Sequence, residues 1–284
     1  MNPRSILPLL ALALPATAGA TVLLSENFDG GGVNSVFNYT SSSGTAPSTV
    51  NAGGANQNVS QITNQNGSNN NSIAWNPVAI PVTPVLRLSF DFNMTDDAAN
   101  NAAGGCCGEA ADGIGIGFFP TAIYGTSGGV NPATGAVAFD WERPNPAGVP
   151  VLTVGFDVFD AGGPNGNNVT VNWNGTVLGN VVPGSLLNDN AWHRGVLTIT
   201  DTGSDSVLDF TIDGNAIHTG LLAPGVDLDG VGSNYRLIAG GRTGGAFVQS
   251  QLDNIMVEAV PEPSLGMLAL AGLGAIGFRR RRSS

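Results

Sequence analysis

Residues 86–94 read LRLSFDFNM: Leu86, Leu88, Phe90, Phe92 and Met94 point one way, and Arg87, Ser89, Asp91 and Asn93 the other. A period of two marks a strand with one face on a core and one toward water. Working outward, residues 112–119, DGIGIGFF, repeat the pattern: Ile114, Ile116 and Phe118 share a face, while Gly113, Gly115 and Gly117 line the opposite one. Glycines on one face leave room for close approach by another backbone or by a ligand. Further strands are expected at 136–141, 151–159, 169–173, 194–200, 207–212 and 235–239, with 251–257 closing the body. Asn174-Gly175 and Asp213-Gly214 each sit between two such runs, where a two-residue hairpin needs positive φ. From residue 21 to about 84 the chain is rich in Asn, Gly, Ser and Thr, which reads as edge strands joined by long polar loops.

Composition agrees. Charged residues make up 11% of the 284, with 41 Gly and 17 Pro, a mixture that suits sheets and tight turns better than long helices. No helical period of useful length occurs outside the two termini, and no linker divides the strands. A single antiparallel sandwich is expected, with an apolar helix at each end of the chain. All ten basic residues are Arg, and only Arg87, Arg143, Arg194, Arg236 and Arg242 lie between Thr21 and Glu262, against all 21 acids. Such a body repels phosphate backbones, so nucleic acid is not expected as a partner. The adjacent Cys106 and Cys107 cannot staple distant elements, and the region lacks the further N or S ligands that zinc needs.

The termini carry addresses. Residues 1–20, MNPRSILPLLALALPATAGA, have a basic start, an apolar run and small residues at Ala18 and Ala20, the layout of a secretory signal cleaved after Ala20. At the other end, Val260-Pro261-Glu262-Pro263 precedes an apolar run at 265–278, shorter than a membrane helix normally is, and then Arg279 to Arg282. These parts in this order resemble the PEP-CTERM sorting signal of Gram-negative bacteria. The resemblance implies transient inner-membrane anchoring by 265–278, recognition by an exosortase-type processing enzyme, and release to the cell surface or an extracellular matrix. The expected division is a signal peptide at 1–20, a sandwich at 21–259 and a sorting segment at 260–284.

Residues 155–168, GFDVFDAGGPNGNN, are the stretch most open to chemistry. Carboxylates, amide oxygens and loop carbonyls are hard donors of the kind Ca²⁺ prefers, although Asx turns use the same residues. Here a second resemblance enters. QNVSQITNQNGSNNNSIAWNPVAI, LSFDFNM, ADGIGIGFF and VGFDVFDAGGPNGNNVTVNWNG, in that order, resemble successive elements of L-type lectins, which share the concanavalin A-like jelly roll. The resemblance implies that Asp112, in Ala111-Asp112-Gly113, accepts hydrogen bonds from sugar hydroxyls. It also implies that the loop from Gly240 to Gly245, through Gly244 and Gly245, donates backbone N–H groups, and Asn168 is expected to complete the carbohydrate-binding set. It implies Ca²⁺ on Asp157 and the Phe159 carbonyl.

The third position of the calcium strand departs from that pattern, since Ala161 has no side-chain oxygen. Asp160, Asn165, Asn167 or Asn168 would have to substitute. Gly155 stands where an acidic manganese ligand would be, so a manganese–calcium pair is not expected. Trp192-His193-Arg194 also occurs in related sandwiches, where it marks the back sheet by a Trp packed at a strand start; His193 and His218 read as strand residues rather than catalysts. The Glu-x-Asp-x-Glu run of endoglucanases on this fold is missing, and Asp140 and Glu142 do not reproduce its spacing. The expectation is therefore a secreted carbohydrate-binding protein of an exopolysaccharide matrix and not an enzyme. The alternatives are a non-binding matrix protein on the same fold and a glycoside hydrolase.

Overall fold

A computed structural model describes residues 19–52, 58–65, 68–96, 110–130, 139–159, 167–228 and 234–261. The two terminal segments expected as helices, the cysteine pair, Asp160, Ala161 and Asn165 lie outside these residues. The described chain forms fifteen strands: β1 Thr21–Glu26, β2 Phe37–Ser43, β3 Ser48–Asn51, β4 Asn58–Thr63, β5 Asn70–Trp75, β6 Val85–Asp96, β7 Gly113–Pro120, β8 Leu152–Asp157, β9 Asn168–Trp173, β10 Thr176–Val181, β11 Asp189–Asp201, β12 Asp205–Ile212, β13 Asn215–Pro224, β14 Tyr235–Arg242 and β15 Val248–Val260. A single helical turn, α1, Thr121–Tyr124, follows β7.

Two antiparallel sheets result. The eight-stranded one runs β13-β12-β11-β6-β15-β4-β3, with β1 also paired to β15; the seven-stranded one runs β10-β9-β8-β7-β14-β5-β2. The alternation of β6 places Phe90, Phe92 and Met94 inside, where Phe92 meets Phe156 of β8 at 4.6 Å between ring centroids. Ile114, Ile116, Val154, Val171, Leu197, Phe210, Leu237 and Val257 complete the layer between the sheets. Asn174-Gly175 and Asp213-Gly214 turn with positive φ at both residues (49° and 81°, 51° and 77°), linking β9 to β10 and β12 to β13.

Three expectations need correction. The Asn- and Ser-rich segment does not supply only edge strands: β4 lies between β15 and β3, and β5 between β14 and β2. Several of its polar side chains are buried because they find distant partners. Asn71 donates to the Thr45 and Ile62 carbonyls, Ser72 to Val130 and Thr63 to Val248. Residues 139–142, at the end of an expected strand, instead form a turn with a lone bridge between Asp140 and Arg143. Trp192 does not pack at its strand start; it is 43% exposed on the outer face of β11.

The glycine face expected on β7 is covered by backbone. A Cβ on Gly115 would lie 2.3 Å from the Trp141 carbonyl, one on Gly155 2.4 Å from the Glu142 carbonyl, and one on Gly240 2.1 Å from the Trp141 indole. Residues 139–151 thus lie against the outer side of the seven-stranded sheet. There Trp141, Val149 and Val151 join Ala74, Phe119, Val130 and Ile238 in a second, smaller core.

Candidate functional site

Strand register assembles the site. Gly113 pairs with Asp157 on one side and with Arg242 on the other, and Asp157 pairs in turn with Asn168. One row across β9, β8, β7 and β14 therefore carries Asn168, Asp157, Gly113 and Arg242, beside Asp112, which immediately precedes β7. The Asp112 N–H donates to the Arg242 carbonyl at 3.0 Å, and the Asp112 carbonyl accepts from the Val158 N–H at 2.9 Å. The Ala111–Asp112 peptide is cis. Gly113 has φ 151°, and a Cβ there would lie 1.8 Å from the Phe156 carbonyl, so only glycine lets β7 begin here.

The turn at 139–144 adds charge to this row. Arg242 meets three carboxylates: its Nε lies 3.1 Å from Asp112 Oδ2, and its two terminal nitrogens lie 2.5 Å from Asp140 Oδ1 and Glu142 Oε1. Arg143 meets Asp157 Oδ2 at 2.5 Å, and the other Asp157 oxygen accepts the Phe159 N–H at 3.0 Å. Burial raises the Asp112 pKa; Arg242 works against that shift, while Asp157 and Asp140 add to it. Burial also pushes the Glu142 carboxyl up to about 7, because one guanidinium shared among three acids offsets little of the desolvation. The same burial raises Asp157 despite the Phe159 N–H and Arg143. Burial opposes the charge on Arg242 itself, but Glu142, Asp112 and Asp140 outweigh it and hold that pKa above its ordinary value.

The expected sugar residues come together. A Cβ on Gly244 would stand 3.4 Å from Asp112 Oδ2, so the loop after β14 lies directly beside the carboxylate. Gly245 is exposed, and among the described residues nothing accepts from the Gly244 or Gly245 N–H. Asn168 sits one strand beyond Asp157 in the same row.

Calcium is less well served. Of its expected ligands the structure describes Asp157, whose two oxygens are engaged, and Phe159; Asn167 spends its amide oxygen on the Leu187 N–H at 2.9 Å. No group of three or more His, Cys, Asp or Glu suited to a metal occurs among the described residues. Among the described residues the cation beside Asp157 is a guanidinium; Asp160 and Asn165, which the expected calcium site also calls on, lie outside them. Sequence reasoning treated Asp140 and Glu142 only as weak catalytic candidates and passed over Arg143 and the Arg242 side chain. The scarcity of arginine was the available signal, since Arg87, Arg143, Arg194 and Arg242 each meet an acid, while Arg236 is spent on backbone carbonyls.

Comparisons with known proteins agree with this architecture. Residues 259–283 match the PEP-CTERM protein-sorting motif, which marks the chain for export and surface sorting in bacteria. No curated protein matches the sequence. Among solved structures, the VIP36 exoplasmic/lumenal domain in its Ca²⁺/Man3GlcNAc-bound form is similar with a TM-score of 0.51 and 15% identity, over 86% of this chain and 91% of that one. The Emp47p carbohydrate recognition domain gives 0.53 and 13%, over 85% and 97%. Peanut lectin with a nonapeptide gives 0.53 and 16%, over 85% and 98%. The fold is that of the L-type lectins. The chain is thus a lectin-like sandwich with a C-terminal sorting segment, and among its described residues no helix is long and apolar enough to cross a membrane.

Proposed function

We propose that the protein binds carbohydrate at Asp112 and carries out no reaction there. The observation behind this reading is the Asp112 carboxylate beside Gly244, in a loop where, among the described residues, nothing accepts from the Gly244 or Gly245 N–H. Asp112 Oδ1 accepts a sugar hydroxyl and the glycine N–H groups donate to neighbouring oxygens, so one carboxylate and one loop orient a ring. The neighbours' own ligands, Man3GlcNAc in VIP36 and galactose in the UEA-II lectin, support this class of ligand. The setting is a cell-surface or exopolysaccharide matrix, reached after processing of the sorting segment by an exosortase-type enzyme and transient anchoring by 265–278. Calcium has no role in this reading, because Arg143 supplies the positive charge at Asp157.

A glycan array probed with the wild type and with Asp112→Asn tests the proposal. Specific binding lost in the variant is expected; binding unchanged by Asp112→Asn would overturn it. A second reading, a matrix scaffold without glycan affinity, draws on Arg242, which leaves the Asp112 side chain only 12% exposed. That reading predicts an array without signal.

A further inference from the structure

The outer face of the eight-stranded sheet holds a shallow depression of about 410 Å³ in which none of the described lining residues is charged. Its floor is a row in strand register. Trp192 of β11 pairs with Asn93 of β6, Asn93 with Gln251 of β15, and Gln251 with Gln61 of β4. With neighbouring strands about 4.8 Å apart, the row extends on the order of 15 Å across the sheet. Thr95 lies one step along, with its hydroxyl 2.9 Å from Asn93 Oδ1 and 2.7 Å from Asn190 Oδ1, which leaves the two amide NH₂ groups as donors.

Gln251 is only 8% exposed, yet among the described residues its amide has no hydrogen-bond partner, and neither have those of Gln61 and Gln249. None of these amides is among the described polar atoms that are both buried and unpaired, so they keep contact with solvent in the depression and can exchange water for a ligand's hydroxyls. At the end of the row stands the indole of Trp192, 43% exposed, whereas Trp75, Trp141 and Trp173 are buried.

We infer that this row binds a neutral glycan segment lying across the strands, at a site separate from Asp112. An exposed indole offers an apolar face to the C–H side of a sugar ring, and a line of amides offers paired donors and acceptors to successive hydroxyls. In a chain whose residues 21–262 hold five arginines and 21 acids, an uncharged patch disfavours ionic recognition. A second copy of the chain is a poor occupant: a lasting protein interface needs about 1,000 Å² around an apolar core, and covering this row would bury amides instead.

Trp192 is also the reporter. Its fluorescence and its quenching by acrylamide are followed on the full chain while cello-, manno-, xylo- and maltohexaose are titrated. At least one hexasaccharide is expected to shift the emission to the blue and protect the indole. Trp192→Ala removes the signal; by calorimetry, Trp192→Ala and Gln251→Ala each weaken binding at least about tenfold. Asp112→Asn leaves the titration unchanged, which separates this site from the one proposed above. The inference is overturned if no hexasaccharide protects Trp192, if Asp112→Asn abolishes the effect, or if protection follows protein concentration without sugar, as self-association would produce.

Discussion

Arg143 places its guanidinium 2.5 Å from Asp157, the acid that heads the expected calcium strand. The pair lies at the edge of the site: Arg143 is 57% exposed while Asp157 is nearly buried. An exposed arginine is held loosely, so removing it changes what Asp157 can accept.

The first prediction concerns this pair. Calcium at a hundred times its Kd would add about 2.7 kcal/mol, on the order of 5–10 °C in Tm for a domain of this size. Thermal melts of the wild type in chelator and in millimolar calcium are expected to agree within about 1 °C. Arg143→Gln, which leaves Asp157 without its cation, is expected to melt lower and to gain from calcium. A wild-type rise of the full size would show that calcium displaces the arginine.

Gly244→Ala puts a methyl in ordinary contact with Asp112 Oδ2, 3.4 Å away, without straining the backbone. Hydrogen bonds to a charged group contribute about 1.5–3 kcal/mol, so glycan affinity is expected to fall roughly 10- to 100-fold. The melting temperature should hardly move. Calorimetric titration with the best array ligand, alongside a thermal melt, checks both.

Gly240→Ala places a methyl 2.1 Å from the Trp141 indole, which has no room to retreat. Overpacking of this kind costs about 1–3 kcal/mol, and here it also lifts the turn that carries Glu142 and Arg143. The expected result is a lower Tm together with loss of the Asp112-dependent binding. Normal binding at reduced stability would show that the turn is dispensable to the site.

Glu142 titrates near 7 in the folded chain and near 4.5 once unfolded, because burial disfavours its charge. The folded state then holds the extra proton between those values, so this contribution is complete below about 4.5 and is lost as pH rises through 7. Asp253, raised to about 6 by burial and by Asp91, acts in the same direction. Stability is therefore expected to fall from pH 5 to pH 8, and Glu142→Gln should flatten part of the slope. Melts across that range decide it; a slope unchanged by the substitution would place the titration elsewhere.

The sandwich was legible because its inner faces alternate without interruption, as in β6, and its hairpins carry Asn-Gly and Asp-Gly. Asp112 and Gly244 were legible for a different reason: they lie in short motifs whose neighbours in sequence remain neighbours in space. What escaped depends on long-range pairing. Nothing local to Asn71 or Ser72 says that distant carbonyls await them, so β5 reads as a polar edge rather than an interior strand. Arg143 and Asp157 are 14 residues apart with no shared pattern, and only the docking of the 139–144 turn brings them together. Trp192 was misjudged because a tryptophan at a strand start suggests burial, whereas one step of the pleat turns it outward.

The glycine stripe on β7, β8 and β14 has a consequence for how the molecule opens. The turn at 139–144 rests on that stripe through van der Waals fit and is tied to the rest by ion pairs through Arg242 and Arg143 and by the Thr153 hydroxyl donating to the Pro144 carbonyl, not by a hydrogen-bonded ladder. Amide exchange should accordingly show two tiers, with the turn opening at low free energy while the strands beneath stay protected. In that partly opened state Glu142 and Asp140 leave Arg242, and the guanidinium falls to Asp112 alone. The molecule would then exchange one arrangement of its few cations for another while the sandwich stays folded.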